Sequence, residues 1–159
     1  MMGNGCIFRY ELADAWKMPI SRIEVFQSLN GGVIRTFLLK KPAESADLTS
    51  DVSNETVIEQ AAVNQIIEAI KKYDEVLSFK EVEFPFVMDG SINTFGFADG
   101  NQSCEIQAYN IWAAARKEKE YLYFEKPVKA KLLLELFTQI ANVLITHNIG
   151  MQYFQLDIH

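Results

Sequence analysis

The chain has 159 residues, of which 49% are hydrophobic, 12% aromatic and 23% charged, with 8 Gly and 4 Pro. That length suits one domain built round one core, residues 1–159, and the composition excludes a disordered chain, a collagen-like repeat and a low-complexity linker. Net charge is −6, unevenly spread: five basic against three acidic residues over 1–40, four against thirteen over 41–110, six against five over 111–159. No block offers the basic footprint that releases counterions from a polyphosphate, so no nucleic-acid partner is expected, while the acidic middle suits the steering of a basic protein.

The first nine residues, Met1-Met2-Gly3-Asn4-Gly5-Cys6-Ile7-Phe8-Arg9, lack the basic and apolar regions of a secretory signal. No window of about 18 apolar residues occurs, so no membrane partner is expected and the localisation read from the sequence is cytoplasmic. Cys6 to Leu12 puts Phe8, Tyr10 and Leu12 on one face and Arg9 and Glu11 on the other, which predicts a half-buried strand. Ile23 and Val25 alternate with Arg22 and Glu24 up to Asn30-Gly31-Gly32, after which Val33 to Lys40 resumes with β-branched and aromatic residues. An Asn-Gly turn with positive φ angles predicts an antiparallel hairpin there.

Residues 41–54 carry Pro42, several hydroxyl residues and little apolar content, which predicts a loop. Thr56 with Glu59 has the spacing of a capping box, and Ile58, Ala62, Ile66, Ala69, Ile70 and Tyr73 recur at helical spacing, with Lys71 and Lys72 at the carbonyl end. A helix from Thr56 to about Tyr73 is expected. Period two returns from Phe79 to Met88, where Pro85 confines the strand to an edge or a bulge. The turns Asp89-Gly90 and Asp99-Gly100-Asn101 bracket a strand over Ser91 to Ala98. Further strands are expected from Ser103 to Ala113 and over Tyr121 to Phe124, completing a four-strand meander, with a helical turn at 113–116 as the alternative.

Pro127 opens a second helix whose stripe Leu132, Leu133, Leu136, Phe137, Ile140, Ala141 and Leu144 is broad enough to cover a sheet, and which ends near Asn148 or Gly150. Tyr153 to Ile158 reads as a closing strand. The expected fold class is therefore α+β: a largely antiparallel sheet of about 7–8 strands with two amphipathic helices, in the order β-β-β-α-β-β-β-β-α-β.

The inventory for chemistry is thin. Cys6 and Cys104 have neither disulfide-framework nor metal spacing and read as reduced thiols; His159 is the last residue, and His147 falls where an imidazolium complements a helix dipole. Gly3-Asn4-Gly5 and Gly31-Gly32 open no helix and lack a following Lys-Ser or Lys-Thr, so they are turn glycines rather than a phosphate loop. The run from Asp99 to Glu105 alternates oxygen-bearing side chains but departs from a calcium loop at Cys104 and Asn110, which leaves a β-turn. Glu81 and Glu83 sit opposite the apolar face of their strand and, with Glu105, read as solvated carboxylates. No catalytic residue, metal or cofactor is expected.

Two features point to contacts. Between Leu136 and Asn148 the second helix carries no formal charge, and its outward positions are Thr138, Gln139, Asn142 and Thr146, a neutral polar stripe suited to a covered face. Trp16, Trp112, Tyr121 and Tyr123 lie near predicted strand ends, and Trp and Tyr are enriched where binding energy concentrates. The leading expectation is a non-catalytic binding protein, an adaptor, chaperone-like protein or immunity-like inhibitor, working through a protein partner or self-association. The alternatives are a carrier of a small apolar ligand held between the sheet and the C-terminal helix, and a small enzyme using Cys or carboxylate chemistry.

Overall fold

The computed structural model describes residues 2, 4–13, 19–39, 50–82, 92–109, 127–150 and 154. Strands β1 (Cys6–Ala13), β2 (Pro19–Ser28), β3 (Gly31–Leu39) and β4 (Ser50–Glu59) come first, and β4 runs directly into helix α1 (Gln60–Lys72). A 3-10 helix (Asp74–Ser78), the two-residue β5 (Glu81–Val82), β6 (Ile92–Ala98), β7 (Ser103–Tyr109) and helix α2 (Pro127–Ile145) follow. The strands form one sheet in the order β4-β3-β2-β1-β6-β7-β5. Six strands are antiparallel to their neighbours, and only β5 runs parallel, beside β7.

Both helices lie on one face of this sheet. The inward row Thr56, Ile34, Val25, Phe8, Phe97 and Cys104 crosses from β4 to β7, and the next holds Asn54, Thr36, Ile23, Tyr10, Phe95 and Ile106. Phe137 of α2 stands over the centre of these rows, its ring centroid 4.5 Å from Tyr10, 5.2 Å from Phe95 and 6.2 Å from Phe8. α1 covers the other side, where Val63 packs on Gly32 and Ile58 belongs to the same core. One apolar cluster joins Ala62, Val63, Ile66 and Ile70 of α1 to Leu133, Leu136, Ile140 and Leu144 of α2. This is the burial that makes each helix worth forming, since isolated helices of such length are marginal in water.

The half-buried pattern expected for β1 holds: Phe8, Tyr10 and Leu12 are buried, and Arg9 and Glu11 face the other side. A register shift between Cys6 and Phe8 breaks the alternation, so Ile7 is buried too. The β2–β3 hairpin is present one residue earlier than the Asn-Gly pair suggests, because Ser28 pairs with Gly31 and the two-residue loop is Leu29-Asn30; the positive φ falls on Gly31. α2 ends at Ile145, just before the stop expected near Asn148 or Gly150, and Asn148 beyond it adopts a left-handed φ of 67°. The Asn148 and Ile149 N–H groups donate back to the carbonyls of Ile145 and Leu144, a Schellman ending closed by the buried pair Leu144 and Ile149.

The expected element order is corrected at residues 50–59. They form β4, not loop and first helical turn: Thr56 pairs with Ile34 and Glu59 with Gly31, and Glu59 makes no side-chain capping bond to α1. A capping box needs only four local residues, but a ten-residue partner ladder along β3 satisfies more backbone groups at once. The order among the described residues is thus β-β-β-β-α-β-β-β-α, with six antiparallel strands where about 7–8 are expected. The meander is corrected as well, since β5 lies parallel to β7 and is separated from β6 in the sheet. The predicted strand parts over 83–88, 121–124 and 153–158, and the choice between strand and helical turn at 113–116, fall outside the described residues apart from Phe154, which is buried against Phe137.

Candidate functional site

Of the residues singled out for contacts, Trp16, Trp112, Tyr121 and Tyr123 lie outside the described residues. The neutral stripe of α2 divides. Asn142 is exposed, whereas Thr138 and Gln139 are half-buried because α1 approaches on that side. Gln139 donates its side-chain N–H to the Tyr73 hydroxyl at 2.9 Å, tying the end of α1 to the middle of α2. Around this bond Tyr73, Lys131, Leu134, Glu135, Thr138 and Gln139 line an open groove of about 420 Å³. Thr146 is occupied locally, its hydroxyl donating to the Val143 carbonyl at 2.6 Å.

The groups with chemical potential are dispersed and held quiet. Cys6 is buried with its thiol 3.4 Å from the Phe8 carbonyl, and Cys104 is half-buried with its thiol 3.9 Å from the Val76 carbonyl. Burial pushes each thiol up to about 11, with Glu24 adding to the effect at Cys6, so both are protonated and weakly nucleophilic at neutral pH. The His147 ring meets the Val143 carbonyl at 2.9 Å through Nδ1, a bond to one of the last carbonyls of α2. Asp99 accepts from the N–H groups of Gln102 and Asn101 at 2.8 and 2.9 Å, which lowers its carboxyl below the usual range and completes the β-turn. Glu105 is exposed. Among the described residues no group of three or more His, Cys, Asp or Glu side chains is placed to hold a metal, and no helix is long and apolar enough to cross a membrane.

The volume where a carried apolar ligand would sit, between the sheet and α2, is filled by the rings of Phe8, Tyr10, Phe95, Phe97, Phe137 and Phe154. Neighbouring centroids are 4.5–6.2 Å apart, the range of favourable aromatic pairs. Among the described residues, exposed side chains lie on the other face and at one rim of the sheet.

On that outer face Glu55, Arg35, Glu24, Arg9, Gly96 and Glu105 stand in one cross-strand row from β4 to β7, the charges alternating in sign. Arg35 Nε donates to Glu55 at 2.8 Å; Arg22 reaches Glu24 at 3.4 Å and Glu11 at 3.7 Å, and Arg9 reaches Glu11 at 3.4 Å. The guanidinium groups also cover rings, Arg22 over Phe37 at 4.5 Å and Arg35 over Phe26 at 5.0 Å. The centre of this face is thus self-compensated. Its rim is not: β4 is the last strand on that side of the described sheet, Val57 on it is 81% exposed, and Leu29 at the neighbouring hairpin tip is 98% exposed.

Leu29, Glu55 and Val57 carry no motif in the sequence, and Glu59 reads there as part of a helix cap. The alternation of Glu55, Val57 and Glu59 against Thr56 and Ile58 is a period-two signal, but the helical spacing that starts at Ile58 overlaps it. No protein-family model matches the chain, and no curated protein matches it in sequence.

Proposed function

We propose that this chain is a non-catalytic cytoplasmic binding protein, of adaptor, chaperone or inhibitor kind, that acts by direct contact with another protein. The observation that carries this reading is the pair Leu29 and Val57, two large exposed apolar side chains at the strand that ends the sheet among the described residues. Burying such a side chain against a partner is worth about 1.5–3 kcal/mol, a gain that the isolated chain forgoes. A bare strand edge is a template for further pairing, and proteins that do not use one usually shorten or cover it. The free, protonated thiols of Cys6 and Cys104 are at home in a reducing compartment. The groove at Tyr73, Thr138 and Gln139 offers a second place of contact.

A photo-crosslinking residue placed at Leu29, and separately at Thr138, in the full chain inside its native cells tests the reading. One defined protein adduct, reproducible and competed by the unlabelled chain, is the expected result. Adduct-free protein at both positions, together with a small apolar molecule retained in native mass spectrometry, overturns it in favour of a carrier.

A further inference from the structure

The outer face of the sheet carries a cross-strand pattern that stops at β4 before it is complete. Glu24, Arg35 and Glu55 stand opposite one another on β2, β3 and β4, alternating in sign, so the next position in that row calls for a cation. Phe26, Val33 and Val57 form the adjoining row, apolar throughout, and it ends on the exposed Val57. Glu59 follows on the same face, exposed, opposite Gly31 and without a capping bond to α1.

We infer that the β4 edge from Glu55 to Glu59 takes up an extended segment of a partner protein as one more strand, with Lys or Arg opposite each glutamate and a β-branched apolar residue opposite Val57. The inference rests on the protein-binding reading above and names the chemistry of the partner. Main-chain groups of β4 that point away from β3 supply hydrogen bonds without regard to sequence, and the three outward side chains, spaced about 6.8 Å apart, supply the selection. A second copy of the chain is a poorer occupant. Antiparallel self-pairing centred on Glu55 or Val57 sets glutamate against glutamate, and centred on Thr56 or Ile58 sets a glutamate against Val57. The same charges that block self-assembly admit a basic strand.

The probe is a fluorescein-labelled peptide Thr-Lys-Thr-Val-Thr-Lys-Thr, titrated into the full chain and followed by anisotropy, with its glutamate-for-lysine counterpart as control. The lysine peptide is expected to bind, more weakly as salt rises, and the glutamate peptide not to bind. Glu59→Lys and Val57→Lys, both at exposed positions and checked for unchanged melting temperature, are expected to weaken binding about tenfold each, whereas Glu68→Lys, the same charge change at an exposed position of α1, leaves it unchanged. Equal binding of both peptides, no binding of the lysine peptide at millimolar concentration, or wild-type affinity in both variants overturns the inference. A partner crosslinked from position 138 but not from a further crosslinking residue placed at position 57 also overturns it while leaving the protein-binding function standing, and so does dimerisation through β4.

Discussion

The side-chain amide of Asn93 donates a 2.8 Å hydrogen bond to the Tyr10 hydroxyl, joining β6 to β1 across 83 positions of sequence in a site closed to water. Among the described residues the Asn93 carbonyl oxygen has no hydrogen-bond partner, although it is buried in the apolar layer under α2. Tyr10→Phe strands the amide donor as well and is expected to lower stability by about 1–3 kcal/mol. Adding Asn93→Leu to Tyr10→Phe removes the stranded groups, and the double variant is expected to lose less than the sum of the two single changes. Urea unfolding of the three variants checks it; strict additivity would mean that the bond is not what couples the strands.

Phe137 touches four of the core rings, Phe8, Tyr10, Phe95 and Phe154. Phe137→Ala is expected to cost about 3–5 kcal/mol, by lost transfer energy and by the cavity left between sheet and helix. Leu132, only partly buried on the same helix, is expected to cost clearly less when truncated. The two midpoints in urea decide whether α2 is seated as described.

Gly32 and Gly96 separate close packing from mere occupancy. A methyl group at Gly32 would come within 2.6 Å of the Phe26 carbonyl oxygen and 2.8 Å of Val63 Cγ2, so β2 or α1 has to move. At Gly96 the nearest atom is the Met2 sulfur at 2.7 Å, the far end of a flexible side chain, with the Arg9 Cβ at 3.3 Å. Gly32→Ala is expected to cost about 1–3 kcal/mol and Gly96→Ala less than about 0.5 kcal/mol. At about 2–4 °C per kcal/mol for a chain of this size, thermal melts resolve the difference.

The two thiols set a pH dependence on the alkaline side. Below their ordinary value of 9.0 both folded and unfolded chains hold the proton. Between 9.0 and about 11 the unfolded chain releases protons that the folded chain retains, so stability falls as pH rises, and the slope vanishes above about 11. Cys6→Ala/Cys104→Ala is expected to flatten this limb, and in the wild-type protein both thiols are expected to react with a disulfide reagent at pH 7.5 far more slowly than after unfolding. Denaturant titrations across that pH range, with and without the cysteines, give the measurement.

Asn148 closes α2 in the left-handed region. Asn148→Gly relieves the Cβ conflict and is expected to leave stability unchanged or slightly raised, whereas Asn148→Val is expected to cost about 1–2 kcal/mol. A loss in both variants of equal size would show that the Asn side chain, not its backbone conformation, matters there.

Periodicity carried the local half of this protein. Phe8, Tyr10 and Leu12 alternate in sequence and are buried together; Ala62, Ile66, Ala69 and Ile70 share a helical face and pack as one; Pro127 and Asn148 bound α2 because one lacks a donor and the other tolerates a positive φ. These are short-range properties of the chain, legible wherever one face of an element is to be buried. Thr56 to Glu59 shows where that logic ends, since the same residues satisfy a helix cap and a strand ladder, and β3 alone decides between them. The parallel pairing of β5 with β7, the hydrogen bond from Gln139 to Tyr73 that turns a polar stripe into the wall of a groove, and the placing of Glu55 and Val57 on the rim of the described sheet all depend on which elements become neighbours. Neighbour choice is a long-range outcome of burying the whole apolar cluster at once, and only the tertiary structure holds it.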